Sequence, residues 1–268
     1  MSTNTISLTP RHERGWKMGF ANMLTKENVA WWRTRRWWIQ CLVALFILNG
    51  TFALNMRDAS QNISNAGLNF LIVAAMAAPF VAMVVGQDSI LGERHTGTAA
   101  WVLSKPLRRP AFILAKLVGN GLGLLATWVV LPGGVAFLQF RAYGLQLSIS
   151  GYAAGMGLVY LNLLFYLTLA LMLATLFNGR GPGLGIALLN FMIWMPFLAE
   201  PIMKYAPWLL KVMPWNLLFP FGYGAGSPLA GYLMLEAPLP TVTPIIATVV
   251  WCVLFTGVAF WRIRRDEF

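Results

Sequence analysis

Acidic residues are scarce, with nine Asp and Glu among 268 residues, and charged residues of both signs reach only 11%. A soluble globular domain carries about 25%. A globule of this length cannot hide an apolar fraction of 58%, because much of any folded chain's surface stays exposed. A water-soluble fold is excluded, and so is a disordered basic tail. Histidine occurs twice, as His12 and His95, and no H-E-x-x-H or G-x-S-x-G is present. The two cysteines, Cys41 and Cys252, lie in separate apolar runs without metal-type spacing, and read as small apolar side chains. There is no G-x-x-x-x-G-K-[ST], and the Gly-rich stretches 179–185 and 222–226 read as turns and close helix packing. No catalytic, metal-ligating or cofactor-binding residue is expected in this chain.

What the sequence does have is long apolar runs. A lipid-spanning helix needs about 20 mostly apolar residues, and six stretches qualify or come close: 37–54, 66–85, 117–140, 152–177, 184–199 and 242–261. The fifth is short and Pro-interrupted. Ten-residue segments of alternating hydrophobicity, as a β-barrel requires, are absent. The expectation is an all-α polytopic membrane protein with six transmembrane helices. With both termini inside, sixteen of the 20 Lys and Arg fall in cytoplasmic segments, against Arg57, Arg141, Lys204 and Lys211 outside. That asymmetry predicts N-in, C-in topology in the plasma (cytoplasmic) membrane. It also accounts for the net charge of +11 without nucleic acid, since the cations follow membrane side instead of forming a patch. A cleaved signal peptide is not expected, because residues 1–36 are charged and no small-residue cleavage site follows the first run.

Residues 1–36 read as a cytoplasmic N-terminus and an amphipathic interfacial helix. Trp16, Phe20, Met23, Leu24 and Trp31 recur at helical spacing, a pattern suited to rings in the acyl boundary and cations near headgroups. Residues 37–268 form one membrane domain. Its outer stretch 200–240 contains Pro201, Pro207, Pro214, Pro220, Pro228 and Pro238. That stretch is too apolar for a free loop and too broken to span, and reads as re-entrant or interfacial helices. Within the spans, Asn49, Asn69, Gln139, Asn162 and Asn190 are suited to interhelical hydrogen bonds, and some of them to lining a pathway. Glu200 either sits hydrated at the outer interface or has a role inside the membrane. Pro79 and Pro132 are expected to kink the second and third spans.

The loop 88–116 carries the most information. Its first part has helical character, Lys105-Pro106 breaks the helix, and a second short helix at 111–116 leads into the third span. The order Glu93, Arg94, Gly97-Thr98, Trp101, Leu103-Ser104, Pro106, Arg108-Arg109 and Lys116 resembles the signature loop of ATP-binding-cassette (ABC) transporter permeases of the second type. Arg108-Arg109 stands where Ser-Arg is common. Lys26-Glu27, followed by Arg33 and Arg35-Arg36, is similar to that family's segment before the first span.

The resemblance implies a six-helix permease domain that pairs as a homo- or heterodimer in membrane lipid and docks two separate cytoplasmic ATPase subunits. ATP and Mg²⁺ would then bind in the partner ATPase. The segment around Glu93–Leu103 would be the coupling helix, and the Asn178–Gly183 turn with Arg180 a secondary contact. The outer helices, with Trp208, Trp215 and Glu200, would form a lid over an exit path on which Asn69 and Asn190 are the polar candidates. The reading is an ATP-driven exporter whose cargo is hydrophobic or amphipathic, because no fixed charge constellation lines the spans. The alternatives are a permease-like protein acting in signalling or lipid remodelling, and a secondary carrier or membrane scaffold. A carrier calls for inverted repeats and midplane ionisable residues, and neither is evident.

Overall fold

The computed structural model describes residues 19–57, 63–98, 107–193, 196–219 and 228–265. The described residues are helical throughout, joined by short turns. Helix α1 (Phe20–Trp32) lies before the first long helix, which runs as α2 (Arg36–Ala44), a π-helical segment (Leu45–Asn49) and α3 (Gly50–Arg57). Helix α4 (Ile63–His95) follows. Next come α5 (Arg109–Leu124), a second π-helical segment (Leu125–Val130) and α6 (Leu131–Ala142) as one continuous rod, then α7 (Ile149–Leu176) and α8 (Gly181–Ile193). Four short helices, α9 (Pro196–Tyr205), α10 (Pro207–Val212), α11 (Trp215–Leu218) and α12 (Leu229–Met234), precede α13 (Thr243–Arg265).

Five of these rods are long and apolar enough to cross a membrane: Arg36–Met56, Ala66–His95, Arg109–Ala142, Ile149–Leu176 and Thr243–Arg265. The expected fifth run, 184–199, is divided between α8 and α9. At 1.5 Å per residue α8 is about 20 Å long, short of a hydrocarbon core of about 30 Å. Pro196 opens α9, as proline suits a first helical turn and not an interior. The other short outer helices follow the same rule: Pro207 starts α10, while Pro214 and Pro228 cap α11 and α12.

Helix α7 is the hub. It packs most extensively against α4 and α13, and also against α12. Most of α7 is buried, whereas α13 lies at the periphery. The α4–α7 seam is close because Ala74, Ala78, Ala82 and Gly86 repeat at four-residue spacing and are buried. A Cβ on Gly86 would come within 2.6 Å of the Ala170 Cβ. Small residues in such a stripe let backbones approach in lipid, where dispersion and not hydrophobicity drives packing.

The polar residues inside the bundle act largely as interhelical glue. Asn49 Nδ2 donates to the Pro132 carbonyl at 3.0 Å and to Gln139 Oε1 at 3.1 Å, and Trp128 Nε1 donates to Gln40 Oε1 at 2.6 Å. These bonds tie the first rod to the third, and both π-helical segments lie along that contact. The π-segment just before Pro132 makes room for a ring that would otherwise strike the preceding turn. The expected disturbance in the third span therefore takes the form of a π-segment, whereas α4 continues unbroken through Pro79.

Helix α1 is amphipathic in a different sense from the one expected. Met23, Glu27 and Trp31 form its buried face, which rests on α5. Trp31 Nε1 donates to Asn120 Oδ1 at 3.0 Å, and its ring fills the space where a Cβ on Gly123 would sit. The ring of Trp31 is thus turned toward protein, while Trp32, Trp37 and Trp38 stay exposed. Trp16 lies outside the described residues.

Candidate functional site

Five elements converge at one end of the bundle: α1, the start of α2, the end of α4, the start of α5, and the turn before α8. Helix α4 runs as a single helix to His95, so no boundary separates the second span from the helical start of the 88–116 loop. This is continuous because 85–95 contains no proline and its polar residues tolerate helix. The helix ends at a left-handed Gly97 with φ of +68°, a backbone that favours glycine. Thr96 Oγ1 donates back to the Gly92 carbonyl at 2.9 Å, and Thr98 Oγ1 to the Glu93 carbonyl at 3.3 Å. The short helix expected at 111–116 is likewise fused to the third span within α5.

Glu93 lies at the centre of an ion-pair cluster. Its Oε1 is 2.7 Å from Lys26 Nζ of α1 and 3.0 Å from Lys116 Nζ of α5. The Lys116 ammonium also reaches Glu27 Oε1 of α1 at 3.0 Å and stands 4.8 Å from the centre of the Phe112 ring. Two cations and two carboxylates balance, which is the condition under which a buried charge is tolerated. The cluster is graded in depth: the Lys116 side chain is 1% exposed and Lys26 47%. Close approach of α1 depends on Gly119, where a Cβ would lie 2.6 Å from the Glu27 Cβ.

One and a half turns earlier on α4, Asp88 bridges two further elements. Arg36 Nη2, at the start of α2, is 3.3 Å from Asp88 Oδ2, and Arg180 Nη2, before α8, is 2.5 Å from Asp88 Oδ1. Arg94 Nη1 donates to Asn178 Oδ1 in the same turn at 3.2 Å. On another side, Arg109 donates to the carbonyls of Ile263 and Arg264, both at 3.0 Å. It thereby satisfies acceptors that the C-terminus of α13 leaves open. Arg108 is exposed and takes the extended N-cap position of α5.

The residues expected to act together divide into three groups. Glu93, Arg94, Gly97, Thr98 and Arg180 come together at this end, with Arg108 and Arg109 on the adjoining start of α5. Trp101, Leu103 and Pro106 lie outside the described residues. Deeper in the bundle, Asn190 is buried and its Oδ1 accepts hydrogen bonds from Tyr166 Oη and from Trp215 Nε1, the latter at 2.9 Å. Glu200 and Trp208 are exposed and Asn69 is half-buried, so the structure joins Asn190 to Trp215 but brings neither Glu200 nor Trp208 to them.

Sequence reasoning noted Glu27 and Lys116 only as parts of the family resemblance, without a role in the site, and did not single out Asp88. The signal for Lys116 was present: a lysine heading a long apolar run requires a carboxylate partner. Nothing in the spacing picks out Glu27, which reaches Lys116 across 89 positions. The arrangement can do one thing physically. It locks α1, α4 and α5 together through charge, so that a force applied near the end of α4 is shared by three elements. Among the described residues no group of three or more His, Cys, Asp or Glu is placed to hold a metal ion.

Comparison with known proteins agrees with this architecture. Residues 21–268 match the family described as "ABC-2 family transporter protein". Two relatives carry the name "Probable ABC transporter permease protein NosY". That of Stutzerimonas stutzeri is 29% identical over 205 residues, 69% of this chain and 72% of the relative. That of Pseudomonas aeruginosa is 26% identical over 205 residues, 68% of this chain and 71% of the relative. With a family match that runs across both the five long rods and the ion-pair cluster, the chain belongs to the ABC-2 family of transporter proteins and is an integral membrane permease subunit.

Proposed function

We propose that this chain is the transmembrane subunit of an ATP-driven exporter, and that its charged end receives the motion of separate cytoplasmic ATPase subunits. The observation that carries the proposal is the position of Glu93: it stands near the end of a 33-residue helix and is ion-paired to both α1 and α5. Packed elements with alternative arrangements convert a local push into a larger rearrangement, and a charge-locked end gives an ATPase something stiff to push. In this reading α8 and α9 together make the sixth crossing and both termini are cytoplasmic. The helices between 200 and 240 are re-entrant on the outer face, and the permease pairs with a second, identical or homologous, copy in the plasma membrane. ATP and Mg²⁺ bind in the partner ATPase. The cargo is hydrophobic or amphipathic, in keeping with apolar rods whose buried polar groups are mostly neutral amides and hydroxyls.

The test is detergent co-purification with ATPase subunits encoded in the same genome, followed by assay of the complex in proteoliposomes. The expected result is recovery of an ATPase and ATP-dependent accumulation of an amphipathic dye inside inverted vesicles. Glu93→Lys places a third cation between Lys26 and Lys116, and should abolish coupled transport while the protein still inserts. Recovery of no ATPase, or full transport by Glu93→Lys, would refute the assignment.

A further inference from the structure

Helix α13 lies at the periphery and leaves a groove between itself, α5 and α7. The groove holds about 690 Å³ and is lined by side chains such as Val118 and Leu122 of α5, Leu161 and Leu164 of α7, and Val253 of α13. Leu122 and Val253 are exposed, so the groove opens outward from the bundle. Gly257 is part of the same wall, and a Cβ built on it would meet nothing within 4 Å. A glycine inside a helix is unfavourable, and among the described residues nothing takes up the room that this one leaves.

The groove covers one half of the bilayer and ends beneath a group of cations. Its α13 side runs from Val249 to Phe260, about 16 Å at 1.5 Å per residue, half of a hydrocarbon core of about 30 Å. Arg264 follows Gly257 at i+7 and Val253 at i+11, and so continues their face of the helix. Just past Phe260, Arg109 joins α5 to α13 through the carbonyls of Ile263 and Arg264. Arg108 and Arg265 each stand one residue from that contact, and Arg108, Arg264 and Arg265 are all exposed. None of these three has an ion pair among the described residues, and neither α5 nor α13 contains an acidic residue. Asp266 and Glu267, next in sequence, lie outside the described residues. Even with both counted, Arg108, Arg262, Arg264 and Arg265 leave this sector cationic. The Arg265 guanidinium stands 4.3 Å from the centre of the Trp261 ring, and that ring is exposed, as aromatic side chains are at the level of lipid headgroups.

Charge selects the occupant. A second copy docked on this face about a two-fold axis along the membrane normal would set Arg264 and Arg265 against their own images. A neutral hydrocarbon would leave the arginines without a counter-charge. We propose that the groove holds an acyl chain of an anionic phospholipid whose headgroup phosphate is bound by Arg108, Arg264 and Arg265. The chain fills the room left at Gly257 and spans the gap between α13, α5 and α7. This lipid site is independent of what the permease carries.

The test uses the full-length permease, purified in mild detergent and mixed with equal amounts of dioleoyl phosphatidylglycerol and dioleoyl phosphatidylcholine. These lipids share their chains and differ in headgroup charge, and native mass spectrometry counts those retained. The expected result is one tightly held lipid per chain, with phosphatidylglycerol favoured by at least about tenfold. Arg264→Gln should weaken that preference about fivefold, the worth of one cation near an anionic surface. Arg108→Gln, Arg264→Gln and Arg265→Gln together should leave the two lipids held alike. Gly257→Phe fills the groove with every arginine in place and should lose the retained lipid; Gly257→Leu serves if the ring prevents folding. An unchanged preference in the triple variant, or wild-type lipid retention in the Gly257 variants, overturns the proposal. So does a Gly257 variant that keeps its lipid but turns from dimer to monomer, because the groove is then a contact between copies.

Discussion

Replacing Lys116 by Met tests whether the cluster is a lock or an incidental surface network. Met keeps the length of the stem and its packing on Phe112 but leaves Glu27 and Glu93 facing a gap. Glu93 retains Lys26 at 2.7 Å, so the stranded group is Glu27, 7% exposed, for which no other ion pair is present among the described residues. Removing one partner of a buried pair costs about 3–5 kcal/mol, because the remaining charge is left uncompensated. Glu27→Gln should cost less, about 1–3 kcal/mol, since Lys116 keeps Glu93 and the amide can still accept. Lys26→Ala should cost no more than about 1 kcal/mol, as that ammonium is half exposed and screened by solvent. The double variant Glu27→Leu with Lys116→Met should recover much of the loss, since paired apolar replacement of a buried ion pair is often neutral. The assay is reversible unfolding of the purified permease in mixed detergent micelles, scored as a double-mutant cycle. If Lys116→Met costs under about 1 kcal/mol, or the double variant is as unstable as the sum of its parts, the buried-lock reasoning is wrong.

Gly123→Ala should destabilise by about 1–3 kcal/mol, because the new methyl meets the Trp31 ring, and hydrogen exchange should show α1 loosened from α5 before the rest unfolds. Asn49→Leu removes two hydrogen bonds between the first and third rods and should cost about 0.5–2 kcal/mol, read from the same unfolding curves. Raising salt to 1 M should weaken the Asp88 pairs with Arg36 and Arg180, which are partly exposed, but leave the Lys116 pairs nearly intact. Stability of Asp88→Asn should therefore converge on wild type in high salt while that of Lys116→Met does not. Arg109→Ala should fray the last turn of α13, seen as faster amide exchange at 259–265, with a stability change of about 1–2 kcal/mol.

The apolar runs made the long rods readable in advance, because hydropathy over about twenty residues is a strong local signal. The break at Pro196 was also written locally. The helical character at the start of the 88–116 loop was legible, but its continuity with the second span was not: hydropathy falls after Val85 although the same helix continues ten residues further to His95, since lipid exposure and helix formation are separate requirements. The partners of Lys116 were not legible, because Glu27 and Glu93 meet it only through tertiary packing across 89 and 23 positions. Trp31 was read as a lipid anchor on its helical spacing, and only Gly119 and Gly123 on another helix decide that its face turns inward. The pairing of Asn190 with Trp215 had no sequence signal, as the short outer helices carry no register that fixes their depth.

Helix α4 has 33 residues, and Pro79 is the middle one. At 1.5 Å per residue it is a beam about 50 Å long with arms of about 25 Å on either side of a missing backbone hydrogen bond. Its seam with α7 includes the stripe of small residues, where Ala170 and Leu167 of α7 close on Gly86. A tilt of about 10° around that midpoint would swing each end by about 4 Å in opposite directions. Glu93 stands at one end of the beam, so a displacement small enough to keep its ion pairs with Lys26 and Lys116 moves the far end by as much. Under the proposed coupling, a push at the charged end would be returned, reversed in sense, at the Ile63 end of the same helix.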